Sequence, residues 1–278
     1  MSGDAGSGSL YVVSTPIGNL GDLSYRAVEI LSTAAMIVAE DTRHSRRLLD
    51  HYGITTRCNA YHEHNEARET PRLVHRLLAG ESIALITDAG TPLVSDPGSR
   101  LVSAAIDAGV PVVPIPGASA LLAALVASGL AGETFTFFGF LPRKGKERFA
   151  ALTELMRLRH TAVIYEAPSR VGATLAEIAA AGAGGRTAVV ARELTKKFEE
   201  FARGTLSELA ERFTAESARG EVVILIGPAR EEAPSEENLR ADALRLRRAG
   251  ASPREIAERL AGEHGAPRNL AYRIAHES

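Results

Sequence analysis

The sequence predicts an α/β protein of two domains with a small helical segment at its carboxyl end. Three observations support this: a length of 278 residues, apolar runs that alternate with helical periodicity, and an acidic, proline-containing stretch before an arginine-rich end. A chain of this length exceeds what one compact core usually needs. We therefore expect a flexible lead over residues 1–9, α/β domains over 10–131 and 132–228, a linker over 229–238 and a helical segment over 239–278.

The first domain is predicted to contain a mostly parallel sheet with helices on both faces. Four β-rich runs are separated by segments of helical periodicity. These runs are residues 10–15, 36–40, 83–87 and 110–114. When strands and helices alternate in this way, ligands bind outside the carboxyl ends of the strands.

The second domain begins near residue 133, where the rhythm of the pattern changes. Its predicted strands are residues 135–140, 161–165, 187–191 and 222–226, with helices between several of them. In the last segment, Ser252, Pro253 and Glu255 have the spacing of a helical capping box. We expect one helix to run from there to Ala261 and a second short helix to begin at Pro267.

The composition is that of a globular protein and excludes several classes. Hydrophobic residues make up 45% of the chain and charged residues 24%, so the chain as a whole is not disordered. The formal net charge of −2 means that any site for a polyanion must be local. The longest apolar stretch, residues 118–130, is too short to span a bilayer, and the amino terminus lacks an apolar signal core. We predict a cytoplasmic protein without a membrane segment.

The loop most favourable for chemistry is residues 88–98, which follows the third predicted strand. It is rich in glycine, proline and acids, and eleven residues without periodicity in a compact domain are usually functional. Asp88 and Asp96 are suited to accept hydrogen bonds from a ribose or to face a cation. The next strand is followed by small residues at 116–120, so two adjacent strand ends favour a planar or nucleoside-like ligand. The alternative is a turn-rich connection whose aspartates cap helices.

The sequence lacks the motifs that are typical of several common classes of enzyme and binding site. Residues 16–21 contain glycine but do not match the dinucleotide pattern, and neither a phosphate loop nor the serine hydrolase motif occurs. His62 and His64 are expected on one face of a strand, yet no third ligand follows at a recognisable spacing, so we predict no metal site. The single cysteine, Cys58, has no evident base and is expected to be a spectator thiol.

A set of motifs along nearly the whole chain resembles one known family. The matching segments are residues 10–20, AEDTR at 39–43, YHEHN at 61–65, 88–98, PGAS at 116–119, GFLP at 139–142, YEAPSR at 165–170 and ARELTK at 191–196. Together they resemble the RsmI family, the bacterial 16S ribosomal RNA 2′-O-methyltransferases, within the tetrapyrrole methylase superfamily. Thr91 stands where most of that superfamily has aspartate and follows the variant found in the RNA enzymes.

The resemblance implies a cofactor, a substrate and an assembly. It implies an S-adenosyl-L-methionine (SAM) enzyme with the cofactor between two α/β domains, and a homodimer that acts on a cytidine of the decoding region in the small ribosomal subunit, without membrane or DNA partners. The cofactor contacts that it implies are Pro16, Gly90, Thr91, Leu93, Val94, Asp96, Ala118, Ser119, Ala120, Pro168 and Leu194.

Methyl transfer to a ribose hydroxyl needs a group that takes up the proton, and RNA needs cations. The candidates for the proton acceptor are Glu40, Asp41, His62 and His64. Those for phosphate contacts are Arg43 and Arg46 in the first domain and Arg268 and Arg273 in the last segment. Two alternatives remain: the Glu40–Asp41 pair caps a helix through the Arg46–Arg47 region, and the last segment is a solvated helical hairpin.

Two other functions compete with this prediction. One is a small-molecule methyltransferase that acts on a tetrapyrrole or corrin precursor, which the shared motifs permit. The basic last segment, with eight arginines against five acids over residues 239–278, argues against it. The other is a non-catalytic RNA-binding protein on the same scaffold, against which the intact loops at 88–98 and 116–119 argue.

Overall fold

The computed structural model of the chain describes residues 8–229, 236–263 and 265–277. It divides into two compact units, Met1–Pro228 and Ala229–Ser278. Most of the predicted lead and of the predicted linker lies outside the described residues, and a helix begins at Glu236. Within the described residues, no helix is long and apolar enough to cross a membrane.

The first sheet, predicted to be mostly parallel, is entirely parallel and has five strands in the order β3-β2-β4-β1-β5. The strands are β1 (Leu10–Val13), β2 (Met36–Ala39), β3 (Cys58–Ala60), β4 (Ile83–Leu85) and β5 (Val112–Ile115). The helices are α1 (Tyr25–Thr33), α2 (Thr42–His51), α3 (Glu66–Leu78), α4 (Ser99–Asp107) and α5 (Ala120–Ser128).

Both faces of this sheet are covered because successive strand residues point to opposite sides. Ile37 of β2 packs in one cluster with Leu31 of α1 and Leu48 of α2. Val38, the next residue, packs in a second cluster with Leu77 of α3 and others from α4. Because helices cover both faces of the sheet, a ligand can reach the strands only at their ends.

One predicted strand feature is wrong. His62 and His64 do not share a strand face, since β3 ends at Ala60 and the chain turns before α3 begins at Glu66. The Asn65 side chain closes this turn: its oxygen accepts the His62 N–H at 2.9 Å and its nitrogen donates to the Ala60 carbonyl at 3.0 Å. An asparagine that bonds the backbone in this way favours a turn over a strand.

The second sheet is mixed and has the order β6-β7-β10-β8-β9. Its strands are β6 (Phe135–Phe140), β7 (Thr161–Glu166), β8 (Thr187–Arg192), β9 (Glu200–Thr205) and β10 (Val222–Ile226), and its helices are α6 (Gly145–Arg157), α7 (Val171–Ile178) and α8 (Leu206–Ala215). β10 is antiparallel to both β7 and β8. The carboxyl ends of β6, β7 and β8 therefore share one edge with the amino end of β10.

The two sheets belong to one compact unit because an apolar cluster joins them. Leu125 of α5 and Ile17, which follows β1, pack with Val163, Val189 and Val223 of the second sheet. The opposite face of the second sheet is covered by α6, α7 and α8. This packing sets the strand ends of the first domain beside those of the second.

The carboxyl-terminal unit consists of α9 (Glu236–Arg248), α10 (Pro253–Glu263) and α11 (Arg268–Glu277). It has its own core, which includes Leu239, Leu260 and Ile274. The predicted capping box is present at the start of α10, where the Glu255 N–H donates to Ser252 Oγ at 3.3 Å and the Ser252 N–H donates to the Glu255 carboxylate at 2.8 Å.

Candidate active site

A cavity of about 450 Å³ lies where the strand ends of the two domains meet. This volume is in the range of sites that enclose a small molecule. From the first domain it is lined by Ile17, Glu40, Asp88, Ala89, Gly90, Thr91, Val94, Ser95, Asp96, Ser119 and Ala120; from the second, by Phe140, Tyr165, Glu166, Ala167, Pro168, Leu194, Gly220, Glu221, Val222 and Val223.

The 88–98 loop is tied to the two neighbouring strand ends. Gly90 exchanges two backbone hydrogen bonds with Thr15, of 2.8 and 3.0 Å. The Thr91 hydroxyl donates to the Ala118 carbonyl at 3.2 Å. Leu93 and Ser95 adopt left-handed backbone conformations, with φ of 71° and 68°. Such strain in non-glycine residues persists only where the surroundings fix it, and it clusters at ligand sites.

Three carboxylates from the first domain make the cavity acidic. Burial raises the pKa of Asp96 to about 6, and the neighbouring carboxylates of Glu40 and Asp88 contribute to this rise. The pKa of Glu40 is also raised, by partial burial and by Asp88, while nearby His62 opposes the shift. Burial disfavours the charged form of an acid, and so does a second negative charge. A cationic ligand in the cavity would stabilise the charged carboxylates and so oppose both the effect of burial and the repulsion between them.

Asp41 is a helix cap and does not line the cavity. Its carboxylate accepts the Arg43 N–H at 2.8 Å and the His44 N–H at 3.4 Å at the start of α2. The backbone hydrogen bond from Arg43 is the main reason why the pKa of Asp41 lies below its usual value. Its own N–H donates to the Asp88 carboxylate at 3.2 Å. Capping therefore occurs as the alternative expected, through the N–H groups of residues 43 and 44 rather than the Arg46–Arg47 region.

His62 and His64 lie beside the site without lining it. Their rings meet edge to face with centroids 5.9 Å apart. His62 is half-buried and close enough to influence the charge of Glu40, and its buried Nδ1 has no hydrogen-bond partner among the described residues. His64 is exposed. In the described part of the chain, no three histidine, cysteine or acidic residues are grouped to hold a metal ion.

Cys58 lies in β3, outside the cavity lining. Burial raises the pKa of its thiol to about 11. The side chain is therefore a neutral thiol at neutral pH, which is a poor nucleophile.

Most of the cofactor contacts expected from the sequence line the cavity. Gly90, Thr91, Val94, Asp96, Ser119, Ala120, Pro168 and Leu194 do so. Pro16, Leu93 and Ala118 do not: Pro16 is buried, Leu93 packs against the α3–α4 cluster, and Ala118 packs in the cluster that joins the sheets.

Tyr165 and Glu166 were not singled out from the sequence, although both belong to the YEAPSR motif. The Tyr165 hydroxyl accepts the N–H of Leu121 at 3.1 Å and thereby links β7 to α5. Buried Glu166 accepts hydrogen bonds from the Ala167 N–H at 2.8 Å and the Thr174 hydroxyl at 2.7 Å, and it pairs with Arg170 at 2.9 Å. These bonds hold the turn that carries Pro168 against the cavity.

The arginines predicted to contact RNA lie in both units. Arg43 and Arg46 are exposed near the start of α2, and Arg46 pairs with Asp50 at 2.7 Å. Arg268 and Arg273 are exposed on α11, where Arg273 pairs with Glu236 at 3.1 Å.

Comparison with known proteins identifies the family. The profile of the Tetrapyrrole (Corrin/Porphyrin) Methylases matches residues 9–210. Ribosomal RNA small subunit methyltransferase I of Mesorhizobium japonicum is 48% identical over 267 residues, which cover 95% of this chain and 90% of that protein. The protein of the same name from Synechocystis sp. is 46% identical over 273 residues, covering 97% and 98%.

Solved structures show the same fold at lower identity. Uroporphyrin-III C-methyltransferase from Thermus thermophilus, complexed with S-adenosyl homocysteine, is 21% identical with a TM-score of 0.58 over 79% of this chain and 97% of that one. Cobalt precorrin-4 methyltransferase is 19% identical with a TM-score of 0.61, covering 79% and 94%. The profile match and the identity of 46–48% to proteins of one name show that the chain is a methyltransferase that belongs to the ribosomal RNA small subunit methyltransferase I family, within the tetrapyrrole methylase superfamily.

Proposed function

We propose that the protein uses SAM to methylate the 2′-hydroxyl of a cytidine in the decoding region of 16S ribosomal RNA, within the small ribosomal subunit in the cytoplasm. The observation that carries this proposal is an acidic cavity at the joined strand ends of a chain whose relatives are named ribosomal RNA small subunit methyltransferases. The tetrapyrrole alternative has less support, because the matching structures named for that chemistry are only 18–21% identical.

The cavity fits SAM by its charge and its walls. SAM bears a sulfonium and an ammonium group, and the carboxylates of Asp88 and Asp96 supply the complementary charge. The aliphatic side chains of Ile17 and Leu194, with others along the lining, suit an adenine ring. When bound, SAM supplies an electrophilic methyl group for an in-line displacement.

Glu40 is the residue we assign as the proton acceptor. A ribose hydroxyl is a weak nucleophile until it loses its proton to a nearby base. Glu40 lines the cavity, and its raised pKa makes it a stronger base than an ordinary exposed carboxylate. Asp41 is committed to capping α2, and His64 is exposed. His62, half-buried beside Glu40, is the second candidate.

In this proposal, exposed arginines outside the cavity bind the phosphates of the RNA. Arg43 follows Glu40 by three residues and is almost fully exposed; its guanidinium lies 3.6 Å from the Asp41 carboxylate, an exposed ion pair that a phosphate can displace. Arg46 lies one turn further along α2, and Arg268 and Arg273 offer exposed guanidinium groups in the carboxyl-terminal unit. The salt bridges of Arg43, Arg46 and Arg273 are solvent-exposed and therefore weak, so phosphates compete with the carboxylates at little cost.

The active form is a homodimer in this proposal. Support comes from α5, which exposes Leu122 and Val126 one helical turn apart while its other face packs on the second sheet. Adjacent apolar side chains on one exposed helix face are typical of a surface that another chain covers.

The test is transfer of labelled methyl groups from SAM to unmodified small ribosomal subunits, with free 16S RNA and a corrin precursor as parallel acceptors. We expect transfer to the subunit, slower transfer to free RNA and none to the corrin. A Glu40→Gln variant serves as the control for proton removal. Transfer to the corrin alone would contradict the proposal.

A further inference from the structure

Two loops of the second domain contain every lysine of the chain. We call them the rim loops: residues 140–149, from the end of β6 into α6, and residues 193–199, between β8 and β9. Of 32 basic residues only four are lysines, and these are Lys144, Lys146, Lys196 and Lys197. Outside these two loops, every Lys or Arg position of the chain is an arginine. Because an ammonium is a compact, mobile point charge and a guanidinium is a planar fork, the two are not equivalent where contact geometry varies.

The fold places both rim loops at the mouth of the cavity. The strands β6, β7 and β8 run in the same direction, so the loops that follow them meet at one sheet edge. Phe140 from one loop and Leu194 from the other line the cavity. The Lys196 ammonium donates to the carboxylates of Glu193 at 2.8 Å and of Glu221, a lining residue, at 3.3 Å. Lys196 therefore fixes its loop to the site.

Apart from Arg148, which is buried and pairs with Glu177 at 2.6 Å, the other cations of the rim loops are available to a ligand. Arg143, Lys144, Lys146 and Lys197 are exposed, and the described part of the chain offers none of them an ion pair or a hydrogen bond to its charged group. The Lys197 ammonium lies over the Phe198 ring, 5.6 Å from its centroid, an exposed and therefore weak contact. The acids are fewer: Glu193 binds Lys196, while Glu147 and Glu199, which accepts the Thr195 N–H at 2.7 Å, keep their charge against these four cations. The rim loops thus present an excess of positive charge, in contrast to the acidic cavity that they border.

Exposed phenylalanines accompany these cations. The three phenylalanines that are more than half exposed are Phe140, Phe149 and Phe198, at 59%, 74% and 66%, and each lies within four residues of a lysine. Phe198 also borders a groove of about 870 Å³ that is lined by three arginines and three glutamates, in which Arg192 and Arg212 both pair with Glu200. Alternating cations and exposed aromatic rings are typical of surfaces that bind single-stranded RNA, since unpaired bases stack on the rings and phosphates pair with the cations.

We propose that the rim loops bind the single-stranded RNA that flanks the target nucleotide, with Lys144, Lys146 and Lys197 on phosphates and Phe198 stacked on a base. This inference rests on the proposed function and adds a surface distinct from the arginines of α2 and α11. A second copy of the chain fits the surface less well, because a symmetric interface through it would bring its unpaired cations toward their own copies.

The test compares two rim variants with matched controls. The first variant combines Lys144→Gln, Lys146→Gln and Lys197→Gln, and the second is Phe198→Ala. The controls are Arg26→Gln and Tyr25→Ala, which remove an exposed cation and an exposed ring from α1. Each protein is titrated with a fluorescent single-stranded fragment of the 16S decoding region at several KCl concentrations, and its SAM affinity is measured by calorimetry.

We expect the lysine variant to lower the slope of log affinity against log salt by about 2, because each lost contact to a single strand contributes about 0.7. Its Kd for RNA should rise on the order of tenfold. The Phe198→Ala variant should raise the Kd by about tenfold at an unchanged slope, as expected for one lost base stack. Both variants should bind SAM like the wild type, and the controls should match the wild type throughout.

Three results would overturn the inference. If the lysine variant has the wild-type slope and Kd, the inference about the rim loops is wrong. If the wild type nevertheless methylates RNA, the proposed function is unaffected by that result. A wild type that binds SAM but methylates no RNA would overturn the proposed function together with this inference. Loss of the dimer in the Phe198→Ala variant at unchanged RNA affinity would assign the surface to self-association.

Discussion

Asp96 is expected to weaken the fold of the protein in the absence of a ligand. Its ordinary pKa of 3.8 rises to about 6 in the folded chain because the carboxyl group is buried close to Glu40 and Asp88. The folded state therefore holds this proton more tightly than the unfolded state does. Stability from this group is complete below about pH 4 and is lost as the pH rises to about 6 and above.

The size of this effect follows from the shift. Two pKa units correspond to about 3 kcal/mol, and because the carboxyl group is only half-buried, screening by solvent reduces this to about 1–2 kcal/mol. Asparagine has the same shape and cannot ionise. We therefore expect Asp96→Asn to raise the melting temperature of the SAM-free protein by about 2–5 °C at pH 8 and by little at pH 4.5.

Calorimetric melting at pH 4.5, 6 and 8 checks this, with Asp107→Asn on the exposed side of α4 as the matched control. The gain in stability should accompany a loss of SAM affinity, since the substitution removes a negative charge from the lining of the proposed SAM site. Parallel melting curves for the wild type and Asp96→Asn at all three pH values would refute the reasoning.

Three further predictions concern the base, the second-domain wall and the helix packing. Glu40→Gln should lower the single-turnover rate of methyl transfer by on the order of 100-fold while calorimetry shows unchanged SAM binding; a wild-type rate would exclude Glu40 as the base. Glu166→Ala should destabilise the protein by about 2–3 kcal/mol in urea unfolding, because it leaves Arg170 without its buried carboxylate, and it should weaken SAM binding. Gly172→Ala should lower the free energy of unfolding by about 1–3 kcal/mol in the same assay, because the added Cβ would lie 2.5 Å from a backbone oxygen of α8. Gly262→Ala in α10 is the control: its Cβ would lie in open space, so the substitution should be neutral or slightly stabilising.

The sequence predicts those parts of the fold that one-dimensional patterns encode. The buried strands β1, β2, β4 and β5 are visible as apolar runs, and the parallel order follows from the helices between them. The strands β3 and β9 could not be predicted from apolar runs. β3, Cys58-Asn-Ala60, is short and half polar, and β9 is an edge strand that contains Arg203 and Gly204. Edge strands need fewer apolar residues, so their pattern is weak.

The order of the strands in the first domain predicts correctly which loops meet at the site. The direction of β10 in the second domain could not be predicted, so the residues that it contributes to the site were missed. Two loops at the carboxyl ends of parallel strands must meet, so residues 88–98 and 116–120 were expected together. Glu221 and Val223 line the same cavity because β10 runs antiparallel to β7, and no pattern within residues 220–226 indicates that direction. Asp41 is a candidate base by its position beside Glu40, and the sequence does not show which of the two acids caps the helix; the structure shows that Asp41 caps α2.

The most direct test of the proposed activity is nucleoside analysis by mass spectrometry of 16S RNA from unmodified small subunits incubated with the protein and SAM. We expect one added methyl group per subunit, recovered as 2′-O-methylcytidine. A methyl group on a base carbon or nitrogen, or RNA that stays unmodified under conditions where SAM binds the protein, would contradict the proposed activity.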